Sequence, residues 1–515
     1  MTTADLVLGI DLSTTAAKAA AFDTQGRMVA LGRAPLALAR PGPDRFEQDP
    51  GDWWTALCRA IADVTAAVNP ARIAGLAIAH QRETFACLDA GGRPLRPAML
   101  WLDGRARGHL PSLVRRIGTD RLRALSGKAA DFGPALPKIA WLAEEEPETH
   151  ARTALFCDVQ AYLVQGLTGR PRTSWASADP LALFDIGARR WSDELCRAVG
   201  IAPDRLPEAC APGTPLGAVT PEAAAATGLR AGTPVLAGGG DGQMAGLGVD
   251  ALDPRRAYLN LGTAVVFGVW SPEPRQDEAW RTMTSASGRG YVLESSLRSG
   301  ALLSDWFLRR LLEVEPRDAG IMAALEAEAA ALPPGSGGLL LLPYWEGAMN
   351  PHWDPDARGA ILGLSDAHGR AHVYRALIEG VALEQALVLD LMRRRAGIEV
   401  AEFVAVGGVA ASDLWCGIMA DATGVAIQRS TTVEAACLGA AMCAAAGAGL
   451  AGSIEAAAGA MRGAATATFH PRSAARQRYA ALLGIYRDVY PQLSGLMRRL
   501  SDFARDQAPA EGRPD

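Results

Sequence analysis

Two segments constrain this chain more than anything else in it. LVLGIDLSTTAAKAAAFD (6–23) reads as an apolar strand, a bend of small hydroxyl residues and a second apolar strand. RAYLNLGTAVVFGVWS (256–271) repeats that order, with Gly262-Thr263 at the bend. Short apolar strands joined by small residues are common, so the repeat draws its weight from position, once at the start of each half of the chain. A chain of 515 residues is too long for one ordinary core, and the polar, proline-bearing DALDPRR at 250–256 is the natural boundary. The expectation is two domains that share an ancestral α/β fold, 1–250 and 251–490, with a disordered tail at 509–515.

The elements between follow the same logic. IAGLAIAHQ reads as a strand that runs into RET, TFACLDAGGRPL as a strand and turn, and 111–125 and 136–146 as helices. AGTPVLAGGGDGQMAGLGV brings a short strand into a glycine loop and then a helix. RAHVYRALIEGVALEQALVLDLMRRR is a long helix, and FVAVGGVAASDLWCGIMADATG a strand, loop and helix. The uncharged AACLGAAMCAAAGAGLAGS (435–453) has nearly the length of a membrane span, but its Ala and Gly content suits a closely packed internal helix instead.

The balance of charge narrows the partners. With 51 basic and 56 acidic side chains and a formal net charge of -5, nothing selects for nucleic acid or an acidic membrane, and a small molecule is the expected ligand. The 8 cysteines are scattered without a C-x-x-C pair or a histidine at ligand spacing, which points away from zinc and disulfides and toward reduced cytoplasmic thiols. The amino terminus lacks a basic stretch and resembles a buried strand rather than a signal peptide.

Certain turns carry chemistry. Ser13, Thr14 and Thr15 would offer backbone N–H groups and hydroxyls to an anion, and Asp11 at the strand end can hold magnesium beside phosphate oxygens. There is no G-x-x-x-x-G-K-[ST], and a strand follows the bend, so this is not a P-loop. Gly262-Thr263 presents the same device in the second half, and VGGVAAS (406–412) offers glycines that a flat base or ribose could approach. Three such turns suggest a nucleotide lying between two domains.

These residues carry a resemblance. GIDLSTTAAK, GPALPKIAWLAEE, GGGDGQMAG, LNLGT, LLLLPYWEGAMNPHWDPDARGAILGL, HVYRALIEGVALE and VGGVAASDLWCGIMADATG, in that order, resemble the FGGY family of carbohydrate kinases over almost the full length. The resemblance implies an α/β fold of two actin-like (ribonuclease-H-like) domains with a cleft for ATP and sugar between them. It also implies magnesium and transfer of the γ-phosphoryl group to a sugar or polyol hydroxyl, and a homodimer would be ordinary for such a protein. Matched residue by residue, Asp11 is the metal-associated aspartate, joined at the ion by Asp241. Ser13–Thr15 and Lys18 belong to the first ATP-binding loop, Gly262 and Thr263 to the second, and Gly407, Gly408 and Ser412 lie near the adenosine. Ser13 stands where the family usually has glycine. Asp241 matches the catalytic base. A carboxylate at a helix start can take the proton of an attacking hydroxyl while nearby N–H groups favour the incoming phosphate charge. An ordinary helix N-cap would look the same, and the two roles are compatible.

The xylulokinase-like branch is the nearest in resemblance, through PHWDPDARGAILGL, Gly133-Pro134 and GGGD. The substrate strand differs, with Arg82-Glu83 where that branch has Met-His. This pair resembles glycerol kinases and could form a fork and an acceptor for two neighbouring hydroxyls. Gly133 and Gly242 replace two contacts typical of glycerol kinases, which argues against glycerol. Gln243 resembles the kinase of the autoinducer dihydroxypentanedione. Trp101 is expected to wall the sugar site and Asp103 to reach a hydroxyl. The expected acceptor is a ketopentose such as xylulose. The alternatives are another polyol or hydroxyketone and, from another class, an actin-like ATPase that transfers nothing to a sugar.

Overall fold

The computed structural model describes residues 4–315 and 318–507; the tail expected at 509–515 lies outside the described residues. The first sheet grows from the hairpin of β1 (Leu6–Leu12) and β2 (Ala16–Asp23), with β3 (Met28–Pro35) antiparallel beyond β2. On the other side β4 (Ile73–His80) runs parallel to β1, β6 (Pro234–Gly240) parallel to β4, and β5 (Pro215–Ala218) antiparallel to β6. The order is β3-β2-β1-β4-β6-β5. β1 is buried at all 7 positions, Asp11 among them, as its largely apolar run requires of an inner strand covered on both faces.

The second sheet repeats this plan. β7 (Arg256–Leu261) and β8 (Val265–Ser271) form its hairpin; β9 (Arg281–Thr284) and β10 (Tyr291–Leu297) extend it on one side, and β11 (Glu402–Val406), β12 (Ala426–Ser430) and β13 (Ala465–Phe469) on the other. The order β9-β10-β8-β7-β11-β12-β13 has the strand directions of the first sheet, with β9 added at the edge. The repeated hairpin seen in the sequence is therefore the seed of a duplicated ribonuclease-H-like domain, the actin-like arrangement.

Two expectations need correction. The helix over 111–125 is two helices, Leu110–Ile117 and Thr119–Ser126, parted at Gly118, whose φ of 86° ends the first. The glycine loop of AGGGDG is no loop either: Gly238, Gly239 and Gly240 finish β6, and Asp241 opens α1 (Asp241–Gly248) directly. The glycines serve close packing. A Cβ on Gly238 would lie 2.0 Å from the Ile78 carbonyl oxygen, and one on Gly240 would lie 2.4 Å from Arg82 Cγ.

The long helix α2 (Arg370–Ala396) crosses the second core, followed by α3 (Asp413–Thr423), α4 (Ala435–Gly447) and the carboxyl-terminal α5 (Ser473–Gln507). The alanine-rich α4 is an internal helix, as expected, and it packs on β1 and α1. A Cβ on Gly9 would lie 1.8 Å from Cys437 O, and one on Gly439 would lie 1.9 Å from Met244 O. Larger side chains would force these elements apart, which explains the composition. Among the described residues, no helix is long and apolar enough to cross a membrane.

Candidate active site

Three neighbouring parallel strands of the first sheet deliver the charged candidates. Asp11 lies next to the end of β1, Arg82-Glu83 just beyond β4, and Asp241 immediately after β6; Leu12 and Gly240 both pair in register with His80. Open α/β sheets gather ligand groups at these carboxyl ends because the chain leaves the sheet there. The second sheet does the same with Gly262-Thr263 after β7 and Gly407 after β11. The two sets face one cavity of about 340 Å³ between the domains.

Asp241 keeps its carboxylate in the cleft, with 43% of the side chain exposed. Its Oδ1 accepts from Gly242 N at 2.8 Å and faces Arg82 Nε at 3.2 Å, while Oδ2 has no protein partner among the described residues. Arg82 Nη1 also donates to Glu294 Oε2 at 2.7 Å. Glu83, buried, accepts from Arg281 Nη1 at 2.5 Å and holds a φ of 65°, a left-handed conformation uncommon outside glycine. Arg82 and Glu83 both line the cavity, and each is held by a residue of the second domain. Trp101 lines the cavity, with its Nε1 donating to Thr14 Oγ1 at 3.0 Å. Beneath it, buried Lys138 donates to the Leu100 and Gly133 carbonyls, and burial brings its ammonium down to about 8.

On the nucleotide side, Asp11 is buried and its Oδ1 finds no hydrogen-bond partner among the described residues. Burial, reinforced by the Asp241 charge and opposed by Lys18, pushes its carboxyl up to about 7. A carboxylate with a bare buried oxygen beside a second carboxylate suits a hydrated cation, so Asp11 fits the magnesium the fold family implies. Among the described residues no three His, Cys, Asp or Glu converge as a metal-holding group; an ion carried on phosphates needs fewer protein ligands. Ser13 Oγ donates to Ala16 O at 3.0 Å and Thr14 Oγ1 to Gln81 Oε1 at 3.1 Å, so both hydroxyls shape the bend. Thr15 is exposed just outside the cavity lining. Lys18 lines the cavity while its Nζ pairs at 2.5 Å with Glu434, the residue before α4. Gly407 has a φ of 93°, and a Cβ there would lie 2.5 Å from Leu261 O. Gly408 opens the next turn and is exposed.

Three expected contacts are placed elsewhere. Asp103 is fully buried away from the cavity, taken up by Arg105 Nε at 2.8 Å, Arg105 Nη2 at 2.7 Å and Phe46 N at 2.8 Å. Gln243 is buried and turned inward, its Nε2 donating to Ala176 O at 3.1 Å. Ser412 caps α3, accepting from Trp415 N at 3.3 Å, and does not line the cavity. Asp103 and Ser412 are satisfied by these nearer partners, whereas Gln243 Oε1 is buried without a hydrogen-bond partner among the described residues.

Sequence reasoning missed Asn260, Arg281, Arg298 and Glu434, all lining the cavity, and Glu294 behind them. Burial alone would raise the Glu294 carboxyl, but the Arg82 and Arg281 guanidiniums outweigh it and hold it at about 2. The available signal was a lone charge inside the otherwise buried strand YVLESSL, which must find a partner.

Comparison with known proteins identifies the family. Residues 6–248 match the N-terminal domain of the FGGY family of carbohydrate kinases and 257–448 its C-terminal domain. The chain is 30% identical over 505 residues to a xylulose kinase of Bacillus subtilis, covering 97% of this chain and 99% of that one. It is also 30% identical over 451 residues to a glycerol kinase of Symbiobacterium thermophilum, covering 84% and 88%. A crystal structure of xylulose kinase from Rhodospirillum rubrum superposes with a TM-score of 0.88 at 27% identity, covering 96% and 99%. With two matching domain models in order and a cleft built from both, the chain belongs to the FGGY family of carbohydrate kinases.

Proposed function

We propose that the protein transfers the γ-phosphoryl group of ATP to a hydroxyl of a ketopentose such as xylulose, with Asp241 as general base. The observation that carries this reading is the half-exposed Asp241 carboxylate, whose Oδ2 has no hydrogen bond among the described residues, lining a cavity walled by Arg82, Glu83 and Trp101 on one side and Gly262-Thr263 and Gly407 on the other. The sugar hydroxyl gives its proton to Asp241 as its oxygen bonds to the γ-phosphorus, and the bond from that phosphorus to the β-γ bridging oxygen breaks, releasing ADP. Such proton removal is worth about 10²–10⁴ in rate, and positioning supplies much of the remainder. Asp11 and Asp241 would hold magnesium, whose charge offsets that of the phosphates. The hydroxyl-bearing bend at Ser13–Thr15 and the glycine turns would present backbone to the nucleotide.

The charge of the pocket supports a neutral acceptor. Arg82, Arg281 and Arg298 are already paired with Asp241 and Glu294, with Glu83 and Glu294, and with Asp131, and Lys18 with Glu434. Among the described residues that line the cavity no cation lacks a carboxylate partner, and a substrate carboxylate would enter an acidic site at a cost. Gln243 is buried and does not line the cavity, so it lends no support to an autoinducer-type acceptor. The kinship with the xylulose kinase over nearly the full length of both chains favours a pentulose.

The test is ATP turnover across pentuloses, tetritols, glycerol and a dihydroxyketone. A pentulose is expected to give the highest kcat/KM, and hydrolysis that runs equally fast with no acceptor would remove the kinase reading in favour of an ATPase. Asp241→Asn is expected to lower transfer about 10²–10⁴-fold with nucleotide binding intact. Near-normal turnover in that variant would remove Asp241 as the base.

A further inference from the structure

Arg281 and Glu294 belong to the second sheet, yet each also reaches across to the acceptor side of the cleft. Arg82 Nη1 donates to Glu294 Oε2 at 2.7 Å, and Arg281 Nη1 donates to Glu83 Oε1 at 2.5 Å. Within the second domain Arg281 donates to Glu294 Oε1 from both Nε, at 3.1 Å, and Nη2, which also donates to Ser296 Oγ at 3.0 Å, and Tyr258 Oη donates to Glu294 Oε2 at 2.8 Å. The chain of contacts Asp241–Arg82–Glu294–Arg281–Glu83 thus begins and ends in the first domain but passes through the second. Glu294 and Arg281 are buried, where an unpartnered charge is costly, so the chain has few alternatives to its present pairing. The left-handed backbone of Glu83 is a conformation that persists only when its surroundings over-determine it, and Arg281 is its firmest side-chain partner.

Arg82 is divided between two carboxylates, one on each domain. A guanidinium released from Glu294 would turn two nitrogens on Asp241, in the bidentate pairing that arginine and carboxylate favour. The base would then be covered and the acceptor would lose a donor. On the reading that Asp241 is the base and that Arg82 and Glu83 contact the acceptor, we propose that Glu294 and Arg281 are positioning residues. They draw Arg82 off Asp241 and aim Glu83 into the cleft, so that the acceptor pocket is complete only while the two domains are together. Closure and acceptor recognition become one event, which ties phosphoryl transfer to the presence of the sugar and discourages loss of phosphate to water.

Glu294→Gln keeps the shape and removes the charge; Arg281→Lys keeps the charge and removes the fork. Both are measured for kcat and KM toward the best acceptor of the panel, for ATP affinity, and for ATP hydrolysis without acceptor. Losing a charged hydrogen bond at each site is expected to lower kcat/KM for the acceptor about tenfold to a hundredfold. ATP affinity should be unchanged, and the ratio of acceptor-free hydrolysis to transfer should rise. For Arg281→Lys the loss should fall mainly on KM, and this variant decides the matter if Glu294→Gln does not fold. Wild-type kcat/KM and coupling ratio in the folded variants would overturn the proposal, as would a parallel loss of ATP and acceptor binding, the mark of a merely structural pair. A wild-type protein that phosphorylates no acceptor would overturn the kinase reading and this proposal together, an outcome distinct from a wild-type enzyme whose variants are unaffected.

Discussion

Asp103 and Gln243 show how a side chain with the right chemistry can be spent elsewhere. Asp103 lies two residues beyond the cleft-lining Trp101, yet its carboxylate is consumed by Arg105 and the Phe46 amide. Those contacts, with burial opposing them, hold it below the usual carboxylate range. Asp103→Asn is therefore expected to cost about 1–3 kcal/mol of stability, read from the denaturant midpoint, while the acceptor KM of the folded protein stays unchanged. A raised KM with unchanged stability would return Asp103 to the sugar pocket. Asp11, Arg82 and Asp241 were legible because each lies at or just past the end of an apolar run, and strand ends can be read from pattern. Arg281 and Glu294 were not legible, since the partners that make a buried charge tolerable lie about 200 residues away for Arg82–Glu294 and Arg281–Glu83.

Among the elements, α2 was readable as a helix from its spacing, but the use of its buried acids was not. Glu384 accepts from Tyr344 Oη at 2.8 Å and from Tyr486 Oη on α5 at 2.5 Å, which ties the carboxyl-terminal helix to the core. Burial pushes its carboxyl up to about 7, against the opposing pull of the two tyrosine hydroxyls. The folded state thus holds a proton that the unfolded chain, titrating near 4.5, has released. This contribution to stability is fully present below pH 4.5 and is lost as pH rises through 7; a shift of this size corresponds to about 3 kcal/mol. Melting temperatures between pH 5 and pH 8 should fall less steeply in Glu384→Gln than in the wild type. Equal slopes would show that Glu384 is ionised throughout. The glycines of β6 teach the same lesson: AGGGD has the composition of a loop, and only the neighbouring Ile78 carbonyl and Arg82 side chain reveal why a strand needs them.

At the scale of the whole molecule, the domains meet through charged pairs that flank the cleft. Arg298 grips both oxygens of Asp131 at 2.9 and 2.7 Å, and buried Lys128 pairs with Asp179, which also accepts from Thr284 N at 2.6 Å across the boundary. Lys18 and Glu434 close the nucleotide end. Asp131→Asn removes one clasp without touching the cavity lining. In small-angle scattering this variant is expected to have a larger radius of gyration than the wild type without ligands, and to return to the wild-type value with ATP and acceptor bound. Identical ligand-free radii would mean that the remaining contacts set the domain angle alone.

The duplicated α/β plan and the turns and strand ends that carry the candidate chemistry are written in the order of residues along the chain. Strand alternation, small-residue bends and helical spacing are local patterns, and the parallel sheets they build place those ends together. Which side chains reach the cleft, and which are spent on nearer partners, follows from how the two domains pack. That choice depends on the second domain supplying Glu294, Arg281, Arg298 and Glu434, and pairing between buried charges is a property of distance in space, which no local pattern encodes.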